Sequence, residues 1–226
     1  MTSKSLVVIR SLLVWLGLAG LTSTAIAAGA PSDSNVMPKS SQPLPAPVQH
    51  SASAMFERLA KMGTVPAQAL VVAVSSQRLY LFEDGQLVGD YPVSTAERGT
   101  GNQEGSLQTP LGLHRVAEKI GAEAPSGMIF RGRRPTGQRA EILALPDARA
   151  ERDDVTSRIL WLDGLEPGVN RGGNVDSKRR YIYIHGTPEE GRIGSPASHG
   201  CVRMSNADVI ELFDRVEVDA LVDIIE

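Results

Sequence analysis

The chain has 226 residues, 42% of them hydrophobic, with 23 Lys and Arg against 26 Asp and Glu and one cysteine. The net charge of −3 gives no support to nucleic-acid binding, and the lone Arg171-Gly172-Gly173 reads as a surface turn, not an RNA-binding repeat. A single thiol excludes an internal disulfide framework, and no internal repeat is visible.

The first 27 residues have the layout of a secretory signal peptide. Lys4 and Arg10 form a basic start, Ser11 to Leu21 is an uncharged Leu-rich run, and Ala25-Ile26-Ala27 supplies small residues for cleavage near Ala27 to Ala30. An uncleaved anchor is the rival reading, although the strictly apolar run is shorter than the roughly 20 residues that cross a bilayer. No cysteine follows that run, so lipoprotein anchoring there is excluded, and no later segment is apolar enough to span a membrane. Residues 28–65 are rich in Pro, Ser, Ala and Gln, as in an extended tether. Within them, Met55, Phe56, Leu59 and Met62 share a helical face, which predicts a short helix over 53–62 ended by Gly63. The remaining 66–226 is one domain with room for a sizeable core.

That domain reads as mainly β. Ala69 to Val74, Arg78 to Phe82 and Leu87 to Val93 are short Val-, Leu- and Tyr-rich runs, and Asp84-Gly85 between two of them is a hairpin signal. Thr109-Pro110-Leu111-Gly112 turns into a fourth strand, Leu113 to Val116. From Glu118 to Asp154 no period persists, which predicts loops that wall or cover a groove. Strands return at Arg158 to Leu162 and Arg180 to His185. In the latter, alternation sends Ile182 and Ile184 to the core and sets Tyr181, Tyr183 and His185 on the other face. Ser205 or Asn206 caps a structural helix from Ala207 to Val216, and Ala220 to Ile225 closes the chain as a strand.

The chemistry concentrates in Ser198-His199-Gly200-Cys201-Val202-Arg203, downstream of Ile184-His185-Gly186-Thr187. A thiol and an imidazole that meet in the fold suffice for nucleophilic acyl transfer. Gly200 lets backbone N–H groups approach a developing oxyanion, Ser198 and His199 are close enough to donate, and the Arg203 fork suits a substrate carboxylate. A helix start just beyond Cys201 would favour the thiolate. Two other classes stay open on these residues: a non-catalytic binding module, and a metal site built from His185, His199 and Cys201.

These residues resemble the L,D-transpeptidase catalytic domain, also called the YkuD domain, of bacterial cell-wall enzymes. The likeness rests on Ile184-His185-Gly186-Thr187 and Ser198-His199-Gly200-Cys201-Val202-Arg203-Met204, with His185 and Cys201 sixteen positions apart. Gln77, Leu79-Tyr80, Tyr91-Pro92-Val93-Ser94-Thr95 and Thr109-Pro110-Leu111-Gly112 extend it, so that it runs from about Ala69 to the C-terminus. The resemblance implies a β-sandwich-like fold with mixed sheets and few helices. It implies Cys201 as nucleophile and His185 as base, oriented by a backbone carbonyl at or near Gly186. Ser198, His199 and Gly200 would shape the site, and Arg203 and Tyr183 would bind substrate. It further implies attack on the diaminopimelate carbonyl of a peptidoglycan stem peptide in the periplasm, release of D-alanine, and transfer to an amine without metal or organic cofactor. The acceptor stays open among a second stem peptide, the lysine of a wall-anchored protein, a D-amino acid, and water. The family often has Gly where this chain has Ala96, and a Gly-Thr pair where it has Asp219-Ala220; both read as turns away from the catalytic motif.

Overall fold

The computed structural model describes residues 43–62 and 67–226. The expected signal peptide and most of the expected tether lie outside the described residues. The domain begins with an antiparallel meander, β1 (Gln68–Ala73), β2 (Arg78–Glu83) and β3 (Gln86–Pro92). Its second turn is the expected Asp84-Gly85, at φ 48° and 81°, a pairing of two positive angles that matches the twist of the flanking strands. The first turn puts Gln77 at φ 51°. The Gln77 amide holds it there, donating to Val74 O at 2.6 Å and Thr95 Oγ1 at 2.7 Å while its carbonyl accepts from Thr95 N–H at 2.8 Å.

The last strand, β10 (Leu221–Ile225), returns to lie parallel to β1, and β4 (Gly112–Ile120) joins it antiparallel. The sheet continues through β7 (Val155–Gly164) to the hairpin of β5 (Met128–Arg131) and β6 (Arg134–Arg139). A side branch carries the chemistry-bearing residues: β7 also pairs with β8 (Tyr183–Gly186), and β8 pairs in parallel with β9 (Val202–Met204). This is the expected mainly β architecture with mixed pairing.

Two hydrophobic clusters hold the layers together. The larger gathers Leu70, Leu81, Leu160, Leu162, Ile184, Val202, Met204 and Ile224 around α2 (Asn206–Arg215), which buries Val209, Leu212 and Phe213. Ser205 caps α2, its Oγ accepting from Asp208 N–H at 3.1 Å. The second cluster forms on the other face of β1, β2 and β10, under α1 (Ala46–Met62). Val48, Ala52, Met55 and Leu59 form a stripe at steps of four, three and four that packs on Ala69, Val71, Phe82 and Leu221.

Three expectations need correction. The helix starts at Ala46, not 53, and is a layer of the domain, not part of a tether; Pro47 is tolerated because first-turn N–H groups have no intrahelical partner. The stretch from Glu118 to Asp154 contains the end of β4 and the β5–β6 hairpin. Every residue of β6 is exposed, so its sequence lacks the apolar alternation that marks a strand. The strand expected from Arg180 begins only at Tyr183, because Tyr181 takes a left-handed φ of 58°. Among the described residues no helix is long and apolar enough to cross a membrane.

Candidate active site

The parallel pairing of β8 and β9 brings the two motifs together. Ile184 pairs with Val202 and His185 with Arg203, which sets Cys201, the residue before β9, level with Tyr183. Side chains alternate along each strand, so Tyr183, His185, Cys201 and Arg203 share one face while Ile184, Val202 and Met204 enter the core.

His185 is 2% exposed, and its Nδ1 lies 2.7 Å from the Gly186 carbonyl. That contact fixes Nδ1 as the protonated nitrogen and leaves Nε2 for proton traffic. Burial holds the imidazole below its ordinary value of 6.5, against an upward pull from Asp153 and the Gly186 carbonyl, so the ring is neutral at pH 7. Gly186 has a steric role as well: a Cβ there would lie 2.8 Å from both Asn206 Oδ1 and the Thr156 carbonyl.

Cys201 is half-buried beside Phe130, Ile159 and Tyr183. Its thiol donates to the Tyr181 carbonyl and its sulfur accepts from Tyr183 N–H, each at 3.4 Å. Burial pushes the thiol up to about 12; the Tyr183 N–H, Arg203 and Arg180 pull it down, and Asp153 pushes it up. At rest the site holds a neutral thiol and a neutral imidazole. The expected help from a helix start is missing, since β9 separates Cys201 from the α2 cap and the dipole field fades within about one turn.

The loop before Cys201 is tightly wired. Ser198 Oγ donates to the Cys201 carbonyl at 2.6 Å and accepts from Gly200 N–H at 3.2 Å. The Gly200 N–H is thereby engaged, not free for an oxyanion. Gly200 sits at φ 128°, where side chains are strained, and a Cβ would come within 3.3 Å of the Gln108 carbonyl. Thus Ser198 and Gly200 set the shape of the loop.

Arg203 differs from its expected role as a fork for a substrate carboxylate. Both terminal nitrogens of the Arg203 guanidinium are committed inside the protein, while its Nε is buried without a partner: Nη1 meets Glu189 Oε2 at 2.7 Å, and Nη2 meets Ala197 O at 2.6 Å and Asp153 Oδ2 at 3.1 Å. With 1% of the residue exposed, no fork remains for a substrate carboxylate. The exposed His199 turns its Nδ1 to Asp153 Oδ2 at 2.7 Å. Asp153 therefore clasps two residues of the cysteine motif, and Glu189, which also accepts from Ala150 N–H at 2.8 Å, ties the same 150–153 segment down. Among the described residues no group of three His, Cys, Asp or Glu side chains converges as metal ligands. Tyr183 is 8% exposed, so its ring packs more than it presents, and it meets Cys201 through backbone.

Several residues of this frame carry no sequence signal. Asp153 belongs to a polar run in an aperiodic stretch. Asn206 reads as a helix cap, yet its side chain accepts from Thr156 Oγ1 and Ser157 Oγ and donates to Thr187 O and Glu190 Oε1, bracing the end of β8. Ala96 is not remote from the motif: it bridges to Ser198, and its N–H donates to Thr109 Oγ1 at 3.0 Å. Asp219 does occupy a turn away from the site, at φ 70°.

No curated protein matches the chain. Among solved structures, an L,D-transpeptidase of Xylanimonas cellulosilytica is 21% identical, with 74% of this chain and 68% of that one covered and a TM-score of 0.43. L,D-transpeptidase 3 of Mycobacterium tuberculosis is 18% identical over 71% of this chain and 62% of its own, with a TM-score of 0.45. An L,D-transpeptidase of Mycobacterium smegmatis is 17% identical over 70%, with a TM-score of 0.41, and the chain spans only 58% of its length. The family model of the L,D-transpeptidase catalytic domain matches residues 67–224, which include the whole strand pair, the wired loop and both motif residues, and the chain belongs to that family.

Proposed function

We propose that the protein is a peptidoglycan L,D-transpeptidase with Cys201 as nucleophile and His185 as general base and acid. One observation carries this: parallel strands set the thiol of Cys201 and the imidazole of His185 on one face, with His185 Nδ1 locked on a backbone carbonyl. The thiol proton passes to His185 Nε2 as sulfur attacks the diaminopimelate carbonyl of a stem peptide. The tetrahedral adduct collapses, the C–N bond breaks, and D-alanine leaves with the proton from His185. An acceptor amine then gives its proton to His185 and attacks the thioester, which returns the thiol. The Tyr183 N–H is a donor already in place beside the sulfur. The chemistry uses no metal or organic cofactor. The basic, Leu-rich start supports export to the periplasm, where the stem peptide is found.

Incubation of the domain with tetrapeptide muropeptides and a competing D-amino acid, followed by mass analysis, tests the reading. Release of D-alanine with a new amide supports transfer; tripeptide alone assigns water as acceptor. Unchanged reaction in Cys201→Ala rules out the cysteine mechanism.

A further inference from the structure

A cavity of about 440 Å³ is lined on its aromatic side by Trp161 and Tyr181, the latter bonded to Cys201 through its carbonyl, and on its charged side by Arg133, Arg171, Lys178 and Arg179. Nothing in the sequence motifs pointed to it. Its volume falls within the range of small-ligand sites.

The aromatic side is preorganised. The Trp161 and Tyr181 rings lie 5.8 Å apart at 30°, and the Arg133 guanidinium sits over both, at 4.4 Å and 5.2 Å from their centroids. Lys178 Nζ stands 5.1 Å from the Trp161 ring. Tyr181 is 52% exposed and left-handed, a conformation unfavourable for a bulky residue. Core packing does not require an exposed ring on a strained backbone. The Tyr181 carbonyl accepts from the Cys201 thiol, so the residue that floors the cavity also touches the nucleophile.

The charge is available to a ligand. Among the described residues Arg171 has no hydrogen-bond or ion-pair partner through its guanidinium, and Arg133 bonds only the neutral Tyr183 hydroxyl, at 3.4 Å. Lys178 and Arg179 are paired with Glu118 and Glu104 at 3.2 Å and 2.6 Å, but these pairs are solvent-exposed and contribute little. The two acids at the cavity are engaged elsewhere. Asp163 pairs with Arg115 at 3.0 Å, and Asp176 accepts from the Gly172 and Arg179 N–H groups. The cavity therefore presents two guanidinium groups, those of Arg133 and Arg171, that have no carboxylate partner among the described residues, beside an aromatic floor.

We propose that this cavity binds the side-chain carboxylates of the peptide whose acyl transfer Cys201 catalyses, with Arg133 and Arg171 as the specificity-determining cations. The assignment rests on the transpeptidase reading for its ligand. It takes over the carboxylate recognition that the buried Arg203 cannot perform. Planar guanidinium forks pair with carboxylates through parallel charge-assisted bonds, and the aromatic floor accepts the aliphatic part of the peptide.

Calorimetry with Cys201→Ala protein, which binds without turnover, is the direct test. The probes are a stem tetrapeptide ending in diaminopimelate and D-alanine, and the same peptide with its side-chain carboxylates amidated. The free acid should bind about tenfold or more tighter than the amide, and Arg133→Gln/Arg171→Gln should abolish that preference without weakening amide binding. Equal affinity for both peptides, no binding of the free acid, or an unchanged preference in the double variant overturns the assignment. Both arginines are on the surface side of the fold, and circular dichroism of the double variant confirms that it folds. Thioester formation on Cys201 of the unsubstituted protein is read separately by intact mass. Its absence rejects the transpeptidase reading, whereas a thioester formed with unchanged KM in the double variant rejects the cavity alone.

Discussion

The resting site predicts a sluggish thiol, and the size of the effect follows from its surroundings. An ordinary cysteine titrates near 8.5, whereas burial pushes Cys201 up to about 12. That gap lowers the thiolate fraction at neutral pH by roughly 3,000-fold. A more basic thiolate is a better nucleophile, and a Brønsted slope near 0.4–0.5 returns roughly 30-fold. Reaction with an aromatic disulfide reagent at pH 7 should therefore be about a hundredfold slower than for free cysteine. Water reaching the half-buried residue relieves part of the desolvation, so this is an upper bound. The rate should climb about tenfold per pH unit through the range pH 6–9 without a plateau, because no thiolate–imidazolium pair is formed at rest. A plateau beginning below about pH 7, with a rate matching free cysteine, would refute the argument by showing a preformed ion pair.

Three other perturbations have defined outcomes. Glu189→Gln leaves Arg203 with Asp153 as its remaining carboxylate in a nearly waterless setting, and urea unfolding should show a loss of about 3 kcal/mol; a loss under about 1 kcal/mol would mean the pair is not a main support. His114, fully buried between the Gly112 carbonyl and Ser177 Oγ, is pushed down to about 4 by burial. Its folded value lies below the unfolded one, so the unfolded chain takes up the proton first: the stability is complete above about pH 6.5 and falls by about 3 kcal/mol as pH drops towards 4, a slope that His114→Asn should lack. Leu59→Ala, which opens a cavity between α1 and the β1–β10 face, should lower stability by about 2–5 kcal/mol in denaturant unfolding, while a loss below about 1 kcal/mol would show α1 to be dispensable.

What could be read from sequence was what local pattern encodes. The meander, its Asp84-Gly85 turn, the Ser205 cap and the alternation of Ile182 and Ile184 all depend on neighbours a few residues away, and all are present. The helix α1 is only half legible because its first two turns bury just two apolar residues, Val48 and Ala52, beside the polar Ser51, too little apolar signal next to Pro47. β6 was unreadable for a related reason: a wholly exposed strand is specified by its partner β5 and by the turn at Gly132 and Arg133, both at positive φ, and not by its own alternation.

Arg203 shows where local reading fails at the site itself. Two positions after the proposed nucleophile, a guanidinium suggests substrate binding, but the β9 register places it opposite His185, facing the 150–153 segment and Glu189. A permanent cation can be buried there only because two carboxylates arrive from distant parts of the chain, and neither announces itself in sequence. The consequence reaches the chemistry. Asp153 neutralises Arg203 and holds His199, and the same charge favours protonation of both the Cys201 thiol and His185. That favours proton uptake by the imidazole and hinders the thiol from giving one up. Under the proposed mechanism the balance keeps the pair uncharged until a substrate carbonyl is present to take the sulfur electrons, so that thiol deprotonation and C–S bond formation belong to one step and the empty site exposes no thiolate to oxidants.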